Sequence, residues 1–440
     1  RGAQRRTPRD APRAAGDSGA ARLPLGEAAI RERLTQRLME TTSAKDLFRI
    51  VEENAHDMKG TQVAKALNSL AKANADTADP RFGLLLRRSS DLLDSWNTFA
   101  LSSALTALAK VQHHPGDEFM KDALASTFRQ VARARPETLV DILWACAKLD
   151  HNPGKVFIQV VTEKTARSLP MLGTYMLGQL LWSFAKMNHH PGVHFMSEFV
   201  AALSRSEGIN EMRAGQVTTV MWAFARLDHR PPVSLSEALL RQAEERTDDI
   251  EAHELASLLW SCSRMDLRLP DPLLQALPTK PSRDLASFGP RGLAYVLWLY
   301  GKLGAHPGED FVERAIARMG RTVPAFSYID AKDLANLLWA CVKLDHLPGE
   351  GYLRALDAAI LNRMEESTPA QLATYLWGFS ELGHVPSQEF QEAWLRRAGE
   401  TLADFGEAER ATSRSAARRV GARGVDGLLG PWAPSPEVAV

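Results

Sequence analysis

The chain has 440 residues, of which 45% are hydrophobic and 24% are charged, so it has enough apolar surface to fold around a core. Lys and Arg together number 53, and so do Asp and Glu, which excludes a uniformly basic protein that coats nucleic acid. Three cysteines exclude a disulfide framework and favour a reducing compartment. No apolar run reaches the ~18 residues that a membrane span needs, so no membrane partner is expected.

The first 25 residues are predicted to form a disordered leader rich in Arg and Ala. Residues 1–22 carry six arginines and two aspartates. This acid-poor composition without an apolar centre resembles the end of an organellar transit peptide, and it is also typical of a plain disordered extension. Residues 26–58, which contain TSAKDLFRIVEEN, are predicted to cap the array that follows.

A repeated unit accounts for the chain up to residue 402. Segments of the type LANLLWACVKLDHLPG align on a tryptophan, with steps of 38, 40, 38, 38, 41 and 38 residues. Two units further upstream carry Asn68 and Thr106 in the Trp place, which makes nine units. The tryptophans are Trp144, Trp182, Trp222, Trp260, Trp298, Trp339 and Trp377.

Each unit predicts two helices. The first ends before a Pro, which cannot continue a helix, and the second begins near an aromatic residue four positions after that Pro. A unit of this size cannot bury its apolar faces alone and must stack on its neighbours. The predicted fold is therefore all-α: a right-handed α-solenoid of about nine two-helix repeats of ~38 residues, in a single array over residues 26–402.

Three places depart from the repeat. After Trp260 the His-Pro-Gly turn is lost and prolines accumulate, which predicts a short or broken second helix. Three extra residues enter between Trp298 and Trp339, most easily around Arg321 to Tyr328. Residues 403–440 are rich in Ala, Arg, Gly and Pro and are predicted to be a mostly disordered tail.

One polar strip runs along the first helix of each unit. Positions are counted here from the Trp place: −7, −3 and +4 align within about 40° on a helical wheel. Position +4 is a cation in eight units: Lys72, Lys110, Lys148, Lys186, Arg226, Arg264, Lys302 and Lys343. Position −3 varies and is mostly polar: Lys65, Ser103, Asp141, Gln179, Thr219, Ser257, Tyr295, Asn336 and Thr374.

A fixed cation beside a variable hydrogen-bonding side chain is what recognition of a single strand, one base per repeat, requires. In this interpretation the cation contacts a phosphate and the −3 side chain contacts a base edge. The alternative is a solvated face, with the cations neutralised locally by acids two positions further on. Those acids are Asp150, Asp228, Asp266 and Asp345.

The other repeated residues have structural interpretations. The tryptophans are expected to pack between repeats, with base stacking as the alternative. Cys146, Cys262 and Cys341, all at position +2, are expected to fill the core. Histidines at +7 are expected to cap helix C-termini. No hydrolase, P-loop or zinc-binding motif occurs, so no catalytic residue, metal site or cofactor is predicted.

The repeats resemble a known group. The core L-A-N-L-L-W-A-x-x-K-L-x-H-x-P-G with its 38-residue step resembles the octotricopeptide repeats of algal organelle RNA factors. KDLFRIVEEN followed by VAKALNSLAKAN is similar to the leucine-rich region of FAST-kinase-like mitochondrial proteins and to the RNA-editing substrate-binding complex 6 type of domain. The match covers roughly Ser43 to Leu402 and is specific at the level of a superfamily.

The resemblance implies an organellar protein that binds single-stranded RNA and acts in processing, stability or translation of transcripts, without catalysis of its own. Other RNA-processing proteins are the further partners it implies. The location is the mitochondrial matrix or, alternatively, the plastid stroma. The alternative function is a protein-protein interaction scaffold of HEAT or armadillo style, which the balanced charge favours.

Overall fold

The structure is a computed structural model that describes residues 25–205, 207–280, 288–319, 326 and 329–430. These residues form α-helices and short 3₁₀ helices, with no β-strand among them. The leader predicted for residues 1–25 lies outside the described residues, except for its last residue. The chain divides into two compact units, Arg1–Leu149 and Asp150–Val440.

In the first unit, the described helices alternate between two layers. One layer holds the first helices of the repeats, each packed on the next: Leu25–Glu40, Gly60–Lys72, Thr98–Lys110 and Pro136–Lys148. The other layer holds the second helices: Ala44–Asn54, Pro80–Leu92 and Asp117–Gln130. The segment predicted as an N-terminal cap thus contributes one helix to each layer.

The second unit repeats this arrangement. Its first helices, in order of packing, are Thr174–Lys186, Ala214–Arg226, Ala252–Met265, Gly289–Leu303, Ala331–Lys343, Pro369–Glu381 and Glu407–Val420. Its second helices are Lys155–Ala166, Val193–Arg205, Val233–Glu244, Asp271–Thr279, Glu309–Met319, Glu350–Leu361 and Gln388–Glu400, and a last short helix is Val425–Leu429. The alternation of first and second helices confirms the predicted all-α solenoid of two-helix repeats.

The first helices end in a common backbone turn. The residue at +6 has a positive φ, near +50° for Asn or Asp, which tolerate this conformation, and for Gln112, and near +65° for Gly. The amide at +7 then donates to the carbonyl at +2, as from His189 to Phe184 at 2.9 Å and from His346 to Cys341 at 2.9 Å. This is the Schellman motif, and it explains why Asp, Asn or Gly recurs at +6.

The core between the two layers is built on position +2. In two repeats the buried aromatic residue near the start of the second helix packs edge-on against an aromatic residue at +2, with ring centres 5.6 Å apart for Phe195 on Phe184 and for Phe390 on Phe379. Cys146, Cys262 and Cys341 occupy the same position and are fully buried, which raises the pKa of each thiol to about 12. The prediction that these cysteines fill the core is confirmed.

The unit after Trp260 has the short second helix that its prolines predict. That helix, Asp271–Thr279, has only nine residues and contains Pro278 in its last turn. The prediction of a shortened second helix is confirmed. The three-residue insertion predicted around Arg321 to Tyr328 falls, apart from Phe326, outside the described residues.

The prediction of a mostly disordered tail over 403–440 is wrong for residues 407–429. The helix Glu407–Val420 packs on Pro369–Glu381 as a further first helix. Its register continues the repeat, since Arg419 and Gly421 lie 38 residues after Glu381 and Gly383. The composition misled because Ala is both the best helix former and a small core residue: Ala416 and Ala417 are buried.

Candidate nucleic-acid interface

Position −3, the Trp place and +4 share one face of each first helix, because they are spaced one helical turn apart. The +4 side chain is exposed in all the described repeats, and the −3 side chains and the tryptophans are half-buried. This face joins the polar strip of the first helices to the tryptophans beside it, and the two together are called the strip below. In each unit the first helices pack in order, so equal positions of neighbouring repeats adjoin.

Two of the cations form ion pairs between repeats. Lys186 Nζ lies 2.7 Å from Asp150 Oδ1, and Arg264 Nη2 lies 3.4 Å from Asp228 Oδ1. In both pairs the aspartate belongs to the +6 turn of the preceding repeat. The acids therefore neutralise the next repeat's cation, whereas the sequence suggested neutralisation within one repeat. All four side chains remain substantially exposed, and such exposed pairs contribute about 1 kcal/mol or less.

Two other cations lie over tryptophan rings. Lys302 Nζ is 5.2 Å from the ring centre of Trp298. Lys343 Nζ is 5.6 Å from the ring centre of Trp339 and 5.9 Å from that of Trp377 in the next repeat. Cation–π contacts at exposed sites are weak enough to leave the ammonium available to a stronger anion.

The tryptophans pack between repeats, as predicted. Ring centres of neighbouring tryptophans are 6.5 Å apart for Trp222 and Trp260 and 6.4 Å apart for Trp298 and Trp339. The rings are nevertheless half-buried, so part of each remains at the surface of the strip. The strip therefore combines exposed cations with partly exposed aromatic rings, the two groups that single-stranded nucleic acid contacts.

Several side chains at −3 already have polar partners within the first unit. Ser103 accepts a short hydrogen bond from the Asn68 amide. Lys65 Nζ lies 3.2 Å from Met39 Sδ. Burial raises the pKa of Asp141 above its ordinary value, although the Ser102 hydroxyl donates to that carboxylate at 3.3 Å.

The −3 side chains of the second unit are held differently. Gln179 Nε2 donates to the Tyr175 hydroxyl at 3.1 Å, and Thr219 and Thr374 donate to carbonyls of their own helices. Tyr295 stacks on Trp298, with ring centres 5.4 Å apart, and burial raises the pKa of its phenol to about 12. Ser257 and Asn336 are half-buried at the same position. That these side chains contact bases stays a prediction.

The cation series is interrupted at Glu381 and resumes at Arg419. Arg419 occupies the +4 position of the helix Glu407–Val420, and its guanidinium pairs with the Glu381 carboxylate at 2.5 Å. This cation was not predicted, because no Trp marks its repeat. The 38-residue step from Glu381 to Arg419, and from Thr374 to Thr412, was the available signal.

The histidines at +7 lie away from this chemistry. The backbone turn caps the helix, and the rings of His189, His229 and His384 pack on the aromatic residue at +2, at 5.9 Å between ring centres for His229 and Phe224. The His346 ring contacts the Glu309 carboxylate instead. Burial, with a smaller contribution from a neighbouring histidine, lowers the pKa of His113, His189 and His229 below the ordinary value of 6.5. These rings are therefore neutral at neutral pH and stabilise the turn by packing.

Comparison with known proteins adds little to this picture. No family model matches the chain, and no curated protein matches it. Among solved structures, the chain is similar to one described as a homology model of the full-length AP-3 complex in an intermediate open conformation. The identity is 12%, the alignment covers 91% of this chain and 78% of that chain, and the TM-score is 0.28, too low to bear on function.

Across residues 25–430, with the gaps stated above, every helix is too short or too polar to traverse a lipid bilayer.

Proposed function

We propose that this helical-repeat protein binds single-stranded RNA along the strip. The observation that carries the proposal is the repeated pairing, in neighbouring first helices, of an exposed cation at +4 with a partly exposed ring one turn away. A strand crossing such a surface meets one positive charge per repeat for its phosphates and one aromatic surface for its bases. The side chains at −3 lie one turn further along, where they reach base edges.

Charge balance in the chain does not oppose this proposal. A phosphate competes with the exposed carboxylates of Asp150 and Asp228 for Lys186 and Arg264, and the exposed pairs it replaces are weak. The repeat before Arg226 has Asn188 at +6, so the preceding turn offers Arg226 no carboxylate. Binding through a few such contacts is expected to be moderate in affinity and to weaken steeply with salt.

We further propose that the protein acts on organellar transcripts, in the mitochondrial matrix or the plastid stroma, as a binder without catalysis of its own. This part rests on the resemblance of the repeats to octotricopeptide and FAST-kinase-like proteins. Imaging of a C-terminally tagged chain expressed in its source cells tests it. Fluorescence that stays outside both organelles would count against it.

One observation favours a second function, a protein-interaction scaffold. In the second unit, three second helices expose a valine at their first or second residue: Val156, Val193 and Val233, each more than 60% exposed. Exposed apolar residues in a row are typical of surfaces that bind other proteins. These valines lie at the turns between helices, not on the strip, so the two functions are separable by mutation.

Charge reversal of the strip tests RNA binding. The variant Lys148→Glu, Lys186→Glu, Arg226→Glu and Lys302→Glu is expected to bind a random-sequence single-stranded RNA pool at least about 100-fold more weakly than the parent at low salt. Fluorescence anisotropy measures the affinity, and circular dichroism at 222 nm checks that the helices persist.

The matched control carries the same change in net charge on exposed cations of second helices: Lys121→Glu, Lys155→Glu, Arg241→Glu and Arg318→Glu. It is expected to keep its affinity within a few-fold, since these residues lie off the strip. An equal loss in both folded variants would mean that binding is nonspecific, and no loss in either would refute the proposal. Partners that persist in a pull-down after nuclease treatment would favour the scaffold.

A further inference from the structure

The repeat of Asn68 lacks the tryptophan, and a cavity of about 500 Å³ opens at that place. It lies between the C-terminal end of Leu25–Glu40 and the first helices Gly60–Lys72 and Thr98–Lys110. Six side chains define its chemistry: Met39, Lys65, Asn68, Lys72, Phe99 and Ser103. Its volume falls in the range of about 300–1,000 Å³ that small-molecule sites occupy.

The charge of the cavity is one-sided. Lys65 and Lys72 line it, and no Asp or Glu is among its lining residues, although acids and bases are equal in number over the whole chain. The two lysines are seven residues apart on one helix, so they stand about two turns, or ~10 Å, apart along its axis. The cavity is therefore suited to a ligand with two separated negative charges.

Polar and aromatic groups lie between the two lysines. The Asn68 amide donates to the Ser103 hydroxyl. The Asn68 carbonyl oxygen can still accept a hydrogen bond from a ligand, and the Ser103 hydroxyl can still donate one. Phe99 is 72% exposed at the rim, although a ring of this size is ordinarily buried. An amide, a hydroxyl and an exposed ring are the groups that bind a nucleobase by its edge and its face.

We propose that this cavity binds one nucleotide of the RNA strand. The base occupies the place that the indole fills in seven other repeats, with its face on Phe99 and its edge on Asn68 and Ser103. The phosphates on its 5′ and 3′ sides contact Lys65 and Lys72, so in this one repeat the −3 side chain contacts a phosphate and not a base edge. The proposal rests on the proposed function in that the nucleotide belongs to an RNA chain, but its site lies within the first unit and can be tested without RNA.

Nucleoside 3′,5′-bisphosphates are the sharpest probes, because they carry both phosphates of one nucleotide. Adenosine and uridine 3′,5′-bisphosphate, titrated into the full chain by isothermal calorimetry, are expected to bind at least about tenfold more tightly than the 5′-monophosphates, since each lysine then meets a phosphate. The nucleosides and inorganic pyrophosphate are expected to bind more weakly still.

The variant Asn68→Trp places in the cavity the ring that other repeats carry and is expected to weaken bisphosphate binding at least about tenfold. Thr106→Trp makes the same change one repeat later, where the side chain does not line the cavity, and is expected to leave binding unchanged. Lys65→Gln and Lys72→Gln, which change amines at the surface and so preserve the fold, are each expected to reduce bisphosphate affinity to the monophosphate level.

Saturable binding lost in Asn68→Trp and kept in Thr106→Trp supports the proposal. No binding by the parent at millimolar bisphosphate, undiminished binding by Asn68→Trp, or pyrophosphate binding as tight as bisphosphate would each overturn it. RNA binding by the strip is measured separately with the charge-reversal variant. If the cavity does not bind bisphosphates while the strip still binds RNA, only this inference is refuted. If the cavity binds bisphosphates while charge reversal leaves RNA binding unchanged, only the proposed function is refuted.

Discussion

Within the second unit, equivalent cations are held in two ways. Lys186 and Arg264 pair with the carboxylates of Asp150 and Asp228, whereas Lys302 and Lys343 lie over tryptophan rings. Helix, position and exposure are the same in both groups, so the difference does not come from the cation itself. It comes largely from what the preceding repeat presents.

The residue at +6 of the preceding repeat accounts for three of these four cations, Lys186, Arg264 and Lys343. Its left-handed backbone favours Asp, Asn or Gly, with Gln112 as the exception. Asp150 and Asp228 each place a carboxylate beside the next cation, whereas Lys302 lies over Trp298 although Asp266 precedes it. Gly304, which precedes Lys343, offers none, and the ammonium lies between two rings instead. A choice made for turn geometry thus also sets how much of the strip's charge is available to a phosphate.

The largest expected effect comes from removing a ring. Trp339→Ala deletes the contact with Trp298 and the aromatic surface under Lys343, and is expected to lower the free energy of unfolding by about 2–4 kcal/mol. Urea denaturation followed by circular dichroism measures it. Trp339→Phe, which keeps an aromatic face, is expected to lose about half as much. A change below about 0.5 kcal/mol for the alanine variant would show that the ring contributes no packing between repeats.

Removing carboxylates should strengthen RNA binding. Asp150→Asn with Asp228→Asn keeps a residue that tolerates the left-handed turn and frees Lys186 and Arg264, so affinity for single-stranded RNA is expected to rise about three- to tenfold at low salt. Stability is expected to change by under about 1 kcal/mol, because both pairs are exposed.

Asn188→Asp is the reverse change, since it places a carboxylate ahead of Arg226. It is expected to weaken RNA binding by a few-fold. Opposite signs for the two variants in one anisotropy assay would confirm that +6 controls the strip's charge. Equal signs would contradict it.

A smaller effect is expected from placing a carboxylate next to Lys343, a cation that now lies over tryptophan rings. Gly304→Asp adds an acid ahead of Lys343 at a place where a Cβ meets no atom within 4 Å, and RNA affinity is expected to fall about two- to threefold. Gly304→Asn carries the same backbone cost, about 1 kcal/mol for a side chain at positive φ, without the charge. A fall in affinity of equal size in both variants would assign the effect to the backbone.

Local chemistry made much of the fold predictable. The prolines end the first helices and shorten Asp271–Thr279, and the aromatic residue four positions after a Pro marks the start of a second helix. All of these residues influence only the backbone a few positions away. Position +2 of the first helices was recognisable as core because apolar residues recur there at helical spacing. The tail was missed because its helix is stabilised by docking on Pro369–Glu381, and its Ala- and Arg-rich composition resembles that of disordered segments.

The amino-acid sequence by itself determined the repeat, the two helices of each repeat and the side of each first helix that carries cations, because periodicity and turn residues act locally. Only the tertiary structure decided which groups those cations meet, because the partners are on neighbouring repeats: Arg264 and Asp228 are 36 residues apart, and packing of adjacent helices brings them together. The cavity at Asn68 arises in the same way, since a missing indole becomes a binding site only where neighbouring helices leave its place empty.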